Sequence, residues 1–111
     1  MRDDVGRLQD ILDSIQRIQE RIGGGRQQFE SDEMLQVWVV HHLQIIGEAA
    51  RSISPVLRDA HPGIPWTSVI AMRSLLVHEY FGIDIEEVWS TAVNDLPLLR
   101  PEVEAMLAEL S

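Results

Sequence analysis

The chain has 111 residues, 45% of them hydrophobic, and no cysteine. That suffices for a single domain over residues 1–111 with one modest core, and it excludes wholesale disorder, disulfides and thiolate metal sites. Formal net charge is −9, with nine arginines and no lysine, so long-range attraction to nucleic acid cannot drive binding. DNA binding is not expected, and any RNA contact must be local, at a small cluster of arginines. No apolar run approaches the ~20 residues of a membrane span. With no basic-then-apolar leader pattern and no cysteine, cytoplasmic residence is the expectation.

Apolar residues Val5, Leu8, Ile11, Leu12, Ile15, Ile18 and Ile22 recur at spacings of three and four, which predicts a first helix from about Asp3 to Ile22. Asp3 and Asp4 favour the positive end of its dipole. Gly23-Gly24-Gly25 should end it, as a plain turn rather than a phosphate-cradling loop, because no strand precedes it and no Lys-Ser/Thr follows. Ser31 is the expected N-cap of a second helix, with Asp32 and Glu33 in its first turn. From Met34 to Ile53 that helix is apolar on almost every side, more than its own chain should bury. The excess points to a second interface, most simply with another copy of the chain. Within it, His41-His42 are adjacent and point about 100° apart, which favours partly buried, hydrogen-bonded histidines over a metal site. Glu48 faces either the next helix or solvent.

Ser54-Pro55 to Pro65 reads as a connector with one helical turn, and His61 within it as an exposed loop residue. A third helix is expected from Trp66 to about Tyr80, with Pro65 in its first turn and Gly82 as its stop. Asp84 should cap a fourth helix from Ile85 to about Thr91 or beyond. Asn94-Asp95 and Pro97 should break it before a last helix ending near Leu110. There is no strand pattern or repeat, so the fold class is all-α, an antiparallel bundle of four to five helices.

The chemistry is concentrated in Arg73-Ser-Leu-Leu-Val-His78-Glu-Tyr80-Phe-Gly82. A fixed cation, a proton carrier and the only tyrosine of the chain fall within eight residues. On one ideal helix Arg73 and His78 would lie about 140° apart, whereas Ser74 and His78 share a face. Bringing arginine and histidine together therefore needs local unwinding near His78, or two protomers around one shared cleft. Such a cleft suits metal-independent RNA cleavage, in which a ribose 2′-hydroxyl attacks the adjacent phosphate. His78 would move the proton, Arg73 would hold the phosphate and Tyr80 would orient a phosphate or a base.

The stretch from Ala71 to Gly82 resembles the Arg-x4-His-x-Tyr motif of HEPN-domain proteins, specifically the HepT-like toxins. Ile45-Ile-Gly-Glu-Ala-Ala50, Ile64-Pro-Trp66, Val88-Trp89 and Asn94-Asp-Leu-Pro97 are similar to that family as well, so the resemblance covers roughly residues 5 to 105. It implies a HEPN-like bundle and a toxin ribonuclease that uses Arg73 and His78 at a homodimer cleft, with no metal or cofactor. It also implies a partner, a minimal nucleotidyltransferase antitoxin able to transfer nucleotide to Tyr80. The family most often has Asn after the arginine. Ser74 keeps a hydroxyl but loses the two-ended amide, which predicts weak cleavage. The alternative reading is a non-catalytic module that binds a nucleotide or presents a surface to the transferase.

Overall fold

The computed structural model describes residues 3–74 and 82–111, together with the backbone of residues 77 and 78. Helix α1 (Asp4–Arg21) starts where the Asp3 carboxylate accepts from the Gly6 N–H at 2.9 Å, the usual way to satisfy an orphan donor of a first turn. Its stripe Leu8, Ile11, Ile15 and Ile18 is wholly buried. A 3-10 turn, Ile22–Gly24, ends it, and Gly25 follows at φ +93°, a backbone conformation that only glycine adopts freely.

The sequence pattern does not anticipate α2 (Arg26–Ser31), six residues with one buried side chain, Phe29. Phe29 packs on Trp89 with ring centroids 5.3 Å apart. Because α2 runs through Ser31, the cap of the next helix is Asp32 rather than the expected Ser31: its carboxylate accepts from the Leu35 N–H at 3.0 Å. Gln36, buried, ties the two helices together by donating to the Phe29 and Glu30 carbonyls.

The central element is α3 (Glu33–Arg51), which packs on α1 along one side and on the helix after the connector along another. Most of its apolar surface is consumed within the chain, with Val39, Leu43, Ile46 and Ala50 fully buried. Met34 and Val37 remain outside, 82% and 53% exposed. The connector does hold its helical turn, α4 (Pro55–Ala60), capped by Ser54. Ser54 is in turn held by the Asp4 carboxylate through its N–H and its hydroxyl, at 2.9 and 2.7 Å. His61 is not the exposed loop residue expected. It is half-buried, its Nε2 lies 3.2 Å from the Glu109 carboxylate, and its carbonyl accepts from the Trp66 indole N–H.

Helix α5 (Trp66–Ala71) stops well short of the expected Tyr80. Met72, Arg73 and Ser74 each donate to the carbonyl three residues back, the tightened bonding that closes helices. Beyond that turn, the backbone of β1 (Val77–His78) pairs antiparallel with β2 (Gly82–Ile83). Gly82, expected as a helix stop, is thus opposite His78 instead. Tyr80 and its neighbours Glu79 and Phe81, and also Leu75 and Leu76, lie outside the described residues.

Asp84 caps α6 (Ile85–Ser90) as expected, accepting from the Glu87 N–H. No break follows. A π-helical segment, Thr91–Asp95, carries the chain directly into α7 (Leu96–Leu110). The Leu96 N–H bonds the Thr91 carbonyl five residues back. Pro97 has no N–H to donate, and the widened turn before it lets Asn94-Asp95-Leu-Pro97 shift the hydrogen-bonding pattern instead of interrupting the rod. Leu96, Leu99, Val103 and Met106 are buried, and α7 packs against α1. Apart from the short β1–β2 pairing, the described fold is all-α. No helix among the described residues is long and apolar enough to cross a membrane.

Candidate active site

Gly47 sets the geometry of the site. A methyl group there would come within 2.5 Å of the Arg73 backbone nitrogen and 2.9 Å of the Ile70 carbonyl. The glycine therefore lets the end of α5 lie directly on α3, and Arg73 emerges one residue away from Glu48. The Arg73 guanidinium meets the Glu48 carboxylate at 3.2 Å. The other oxygen of that carboxylate meets Arg51, also at 3.2 Å. Glu48 thus faces the motif arginine, which decides the alternative its sequence position left open.

Arg73, Ser74 and Glu48 line an open groove of about 480 Å³ together with His41, Gln44 and Ile45 of α3. Residues 41, 45 and 48 follow one face of the helix. The Arg73 and Glu48 side chains are 42% and 55% exposed, and an ion pair this wet contributes about 0–1 kcal/mol. A phosphate that offers the guanidinium two oxygens can replace the carboxylate at small cost. Arg73 and Arg51 share the one Glu48 carboxylate, so two fixed cations meet a single anion at this end of α3.

The two histidines of α3 separate. His42 is buried, with its Nδ1 3.2 Å from the Ser14 hydroxyl of α1. Its ring leans on Trp38 at 4.4 Å between centroids, and Trp38 carries the Arg21 guanidinium at 5.4 Å. Burial holds the His42 imidazole below its ordinary pKa, and the nearby His41 and Arg17 push the same way. The expectation of a buried, hydrogen-bonded histidine fits His42 and not His41, which is exposed at the groove. Among the described residues no three His, Asp or Glu side chains gather in a way that could hold a metal ion.

Of the four motif residues, the structure brings Arg73 and Ser74 to one groove. For His78 it gives the backbone alone, opposite Gly82, and Tyr80 lies outside the described residues. The 140° separation expected of Arg73 and His78 presumed one continuous helix, and it lapses because α5 ends at Ala71. Glu48, whose orientation the sequence left open, and His41, expected to be partly buried, are the titratable groove residues that lie outside the motif. Their spacing, with Ile45 between, puts them on one face of α3 but does not say that this face looks onto the groove.

A family model described as ribonuclease HepT-like matches residues 11–106. Among curated proteins, one from Methanocaldococcus jannaschii named as a candidate RNase is 36% identical over 93% of this chain and 95% of its own length. One from Thermococcus cleftensis, named as a candidate ribonuclease HepT, is 36% identical over 89% of this chain and 91% of its own. A third, a candidate RNase of Caldanaerobacter subterraneus subsp. tengcongensis, is 34% identical over 90% of each. No solved structure matches. A match to nearly the whole chain, on a helical fold that carries the motif arginine at an open groove, places this protein in the HepT-like ribonuclease family.

Proposed function

We propose that the protein is the toxin of a toxin–antitoxin pair, an RNA endonuclease that needs no metal and works at a cleft between two copies of the chain. The observation that carries this reading is the exposed Arg73, held by Glu48 at an open groove in a chain of this family. Arg73 binds the scissile phosphate, and its guanidinium offsets charge that builds on the phosphate oxygens. His78 takes the proton of the attacking 2′-hydroxyl or returns one to the leaving 5′-oxygen. Ser74 supplies a single hydroxyl at the groove wall. The exposed Met34 and Val37 of α3 support a homodimer, since they leave apolar surface open beside the groove.

Purified protein should cleave single-stranded RNA weakly and keep doing so in EDTA. Arg73→Ala and His78→Ala should each reduce cleavage by about a hundredfold or more. Activity that persists in both variants would place the site elsewhere, and a full loss with EDTA would overturn the metal-independent step.

A minimal nucleotidyltransferase is the proposed antitoxin: the Tyr80 hydroxyl oxygen bonds to the α-phosphorus of a nucleoside triphosphate, its proton is lost and pyrophosphate leaves. The added phosphate would bring negative charge close to the motif arginine and compete with RNA for it. Intact mass after co-expression tests this. A nucleotide-sized gain absent from Tyr80→Phe supports transfer, whereas full neutralisation of Tyr80→Phe by the partner means that binding alone is the switch.

A further inference from the structure

The groove has a second polar end. His41 lies on the same face of α3 as Glu48 and seven positions earlier, about 10 Å along the helix axis. It lines the groove with Arg73 and Ser74, and it also borders the surface formed by Met34, Val37 and Trp38. Its imidazole is exposed, yet it does not hang freely. The ring stands edge-on to His42 at 5.2 Å between centroids and 74° between planes. His42 is fixed from behind by Ser14 and from the side by Trp38. One edge of the ring rests on a buried neighbour, and the rest stays open at the groove.

Seven helical positions separate His41 from Glu48, the carboxylate that meets Arg73, so His41 lies toward the other end of the groove. That end suits the next portion of a strand whose scissile phosphate is on Arg73. The charge of the molecule limits what that strand can be. At −9 the protein repels extended phosphate arrays, so the contact must be short. A single strand also exposes base faces and Watson–Crick edges that an imidazole can stack on or bond to, whereas a duplex hides them.

Building on the ribonuclease reading above, we propose that His41 is a substrate-contacting residue that receives the nucleotide one step beyond the two that flank the phosphate held by Arg73, so that the groove takes single-stranded RNA along α3. The contact adds binding rather than chemistry. It rewards substrates long enough to reach from Arg73 to His41, and a dinucleotide gains less from it than a longer strand.

The test uses uncleavable 2′-O-methyl oligoribonucleotides, a dinucleotide and a longer single strand, binding to the full-length protein by fluorescence anisotropy. His41→Ala should weaken the longer strand about tenfold, leave the dinucleotide nearly unchanged and raise KM for cleavage with little effect on kcat. His41→Gln, which keeps a hydrogen-bonding group, should recover part of the loss. Thermal melts confirm that both variants fold. Equal loss on both oligonucleotides, or no loss, overturns the proposal. So does a change in sedimentation with no change in RNA affinity, which would assign His41 to an interface between copies of the chain. These outcomes are separable from failure of the ribonuclease reading, which shows as cleavage untouched by Arg73→Ala and His78→Ala.

Discussion

The His42 imidazole gives the protein a titration with a definite sign. Burial, then His41 and Arg17, lower its pKa in the folded state, while in the unfolded chain it protonates near pH 6.5. Below about pH 6.5 the unfolded state therefore binds the extra proton, and stability falls as pH drops toward the folded-state value. Above about pH 6.5 the contribution is fully present. Thermal melts should show acid destabilisation that is shallower in His42→Gln, and an unchanged slope in that variant would assign the effect to other groups. Arg73 was legible in the sequence as a motif residue. Glu48 and His41 were not, because α3 is apolar on nearly every side and its sequence cannot say which face looks onto the groove. Packing of α1 and α5 on the other faces decides that.

Among the elements, those with a local cause were readable and those with a tertiary cause were not. Asp3 and Asp84 cap α1 and α6 by their own side chains, and the stripe of α1 follows from spacing alone. By contrast α2 has only Phe29 to bury, too little pattern to see. The end of α5 is set where its last turn rests on Gly47 of α3. The expected helix to Tyr80 failed there, since apolar periodicity carries no information about a close backbone approach. Gly47→Ala follows as a prediction for this contact. The added methyl meets backbone, which cannot rotate away, so α5 must shift and carry Arg73 off Glu48. The expected cost is about 1–3 kcal/mol of stability, read from denaturant unfolding. Cleavage should fall by more than that loss of folded protein explains. Wild-type activity in Gly47→Ala would show that the Arg73–Glu48 geometry is not needed.

For the whole molecule, the sequence overstated how much of α3 lies open. Val39, Leu43, Ile46 and Ala50 are buried inside the chain, and the exposed remainder is confined to Met34 and Val37 at its N-terminal half. A homodimer through that patch would set the two grooves side by side, with the His41 residues toward the seam. Sedimentation at micromolar concentration should give a dimer. Met34→Glu combined with Val37→Glu should give a folded monomer with little cleavage activity, because charges in place of both apolar side chains oppose association. A wild-type monomer, or an active monomeric variant, would remove the shared cleft from the mechanism.

The π-helical segment Thr91–Asp95 changes how the length of this chain is to be counted. A π turn accommodates about one residue more than an α turn, so the segment acts as a one-residue insertion absorbed inside a continuous rod. Removing the exposed Asn94, with Pro97→Ala to restore a donor, should return the segment to ordinary α geometry and leave Leu99, Val103 and Met106 facing α1. Removing Glu102 instead would rotate Val103 and Met106 by about 100° away from that core. Thermal melts should find the first deletion tolerated and the second not. A homologue one residue shorter at this point could then keep the same buried face of α7, with its gap belonging inside the helix and not in a loop.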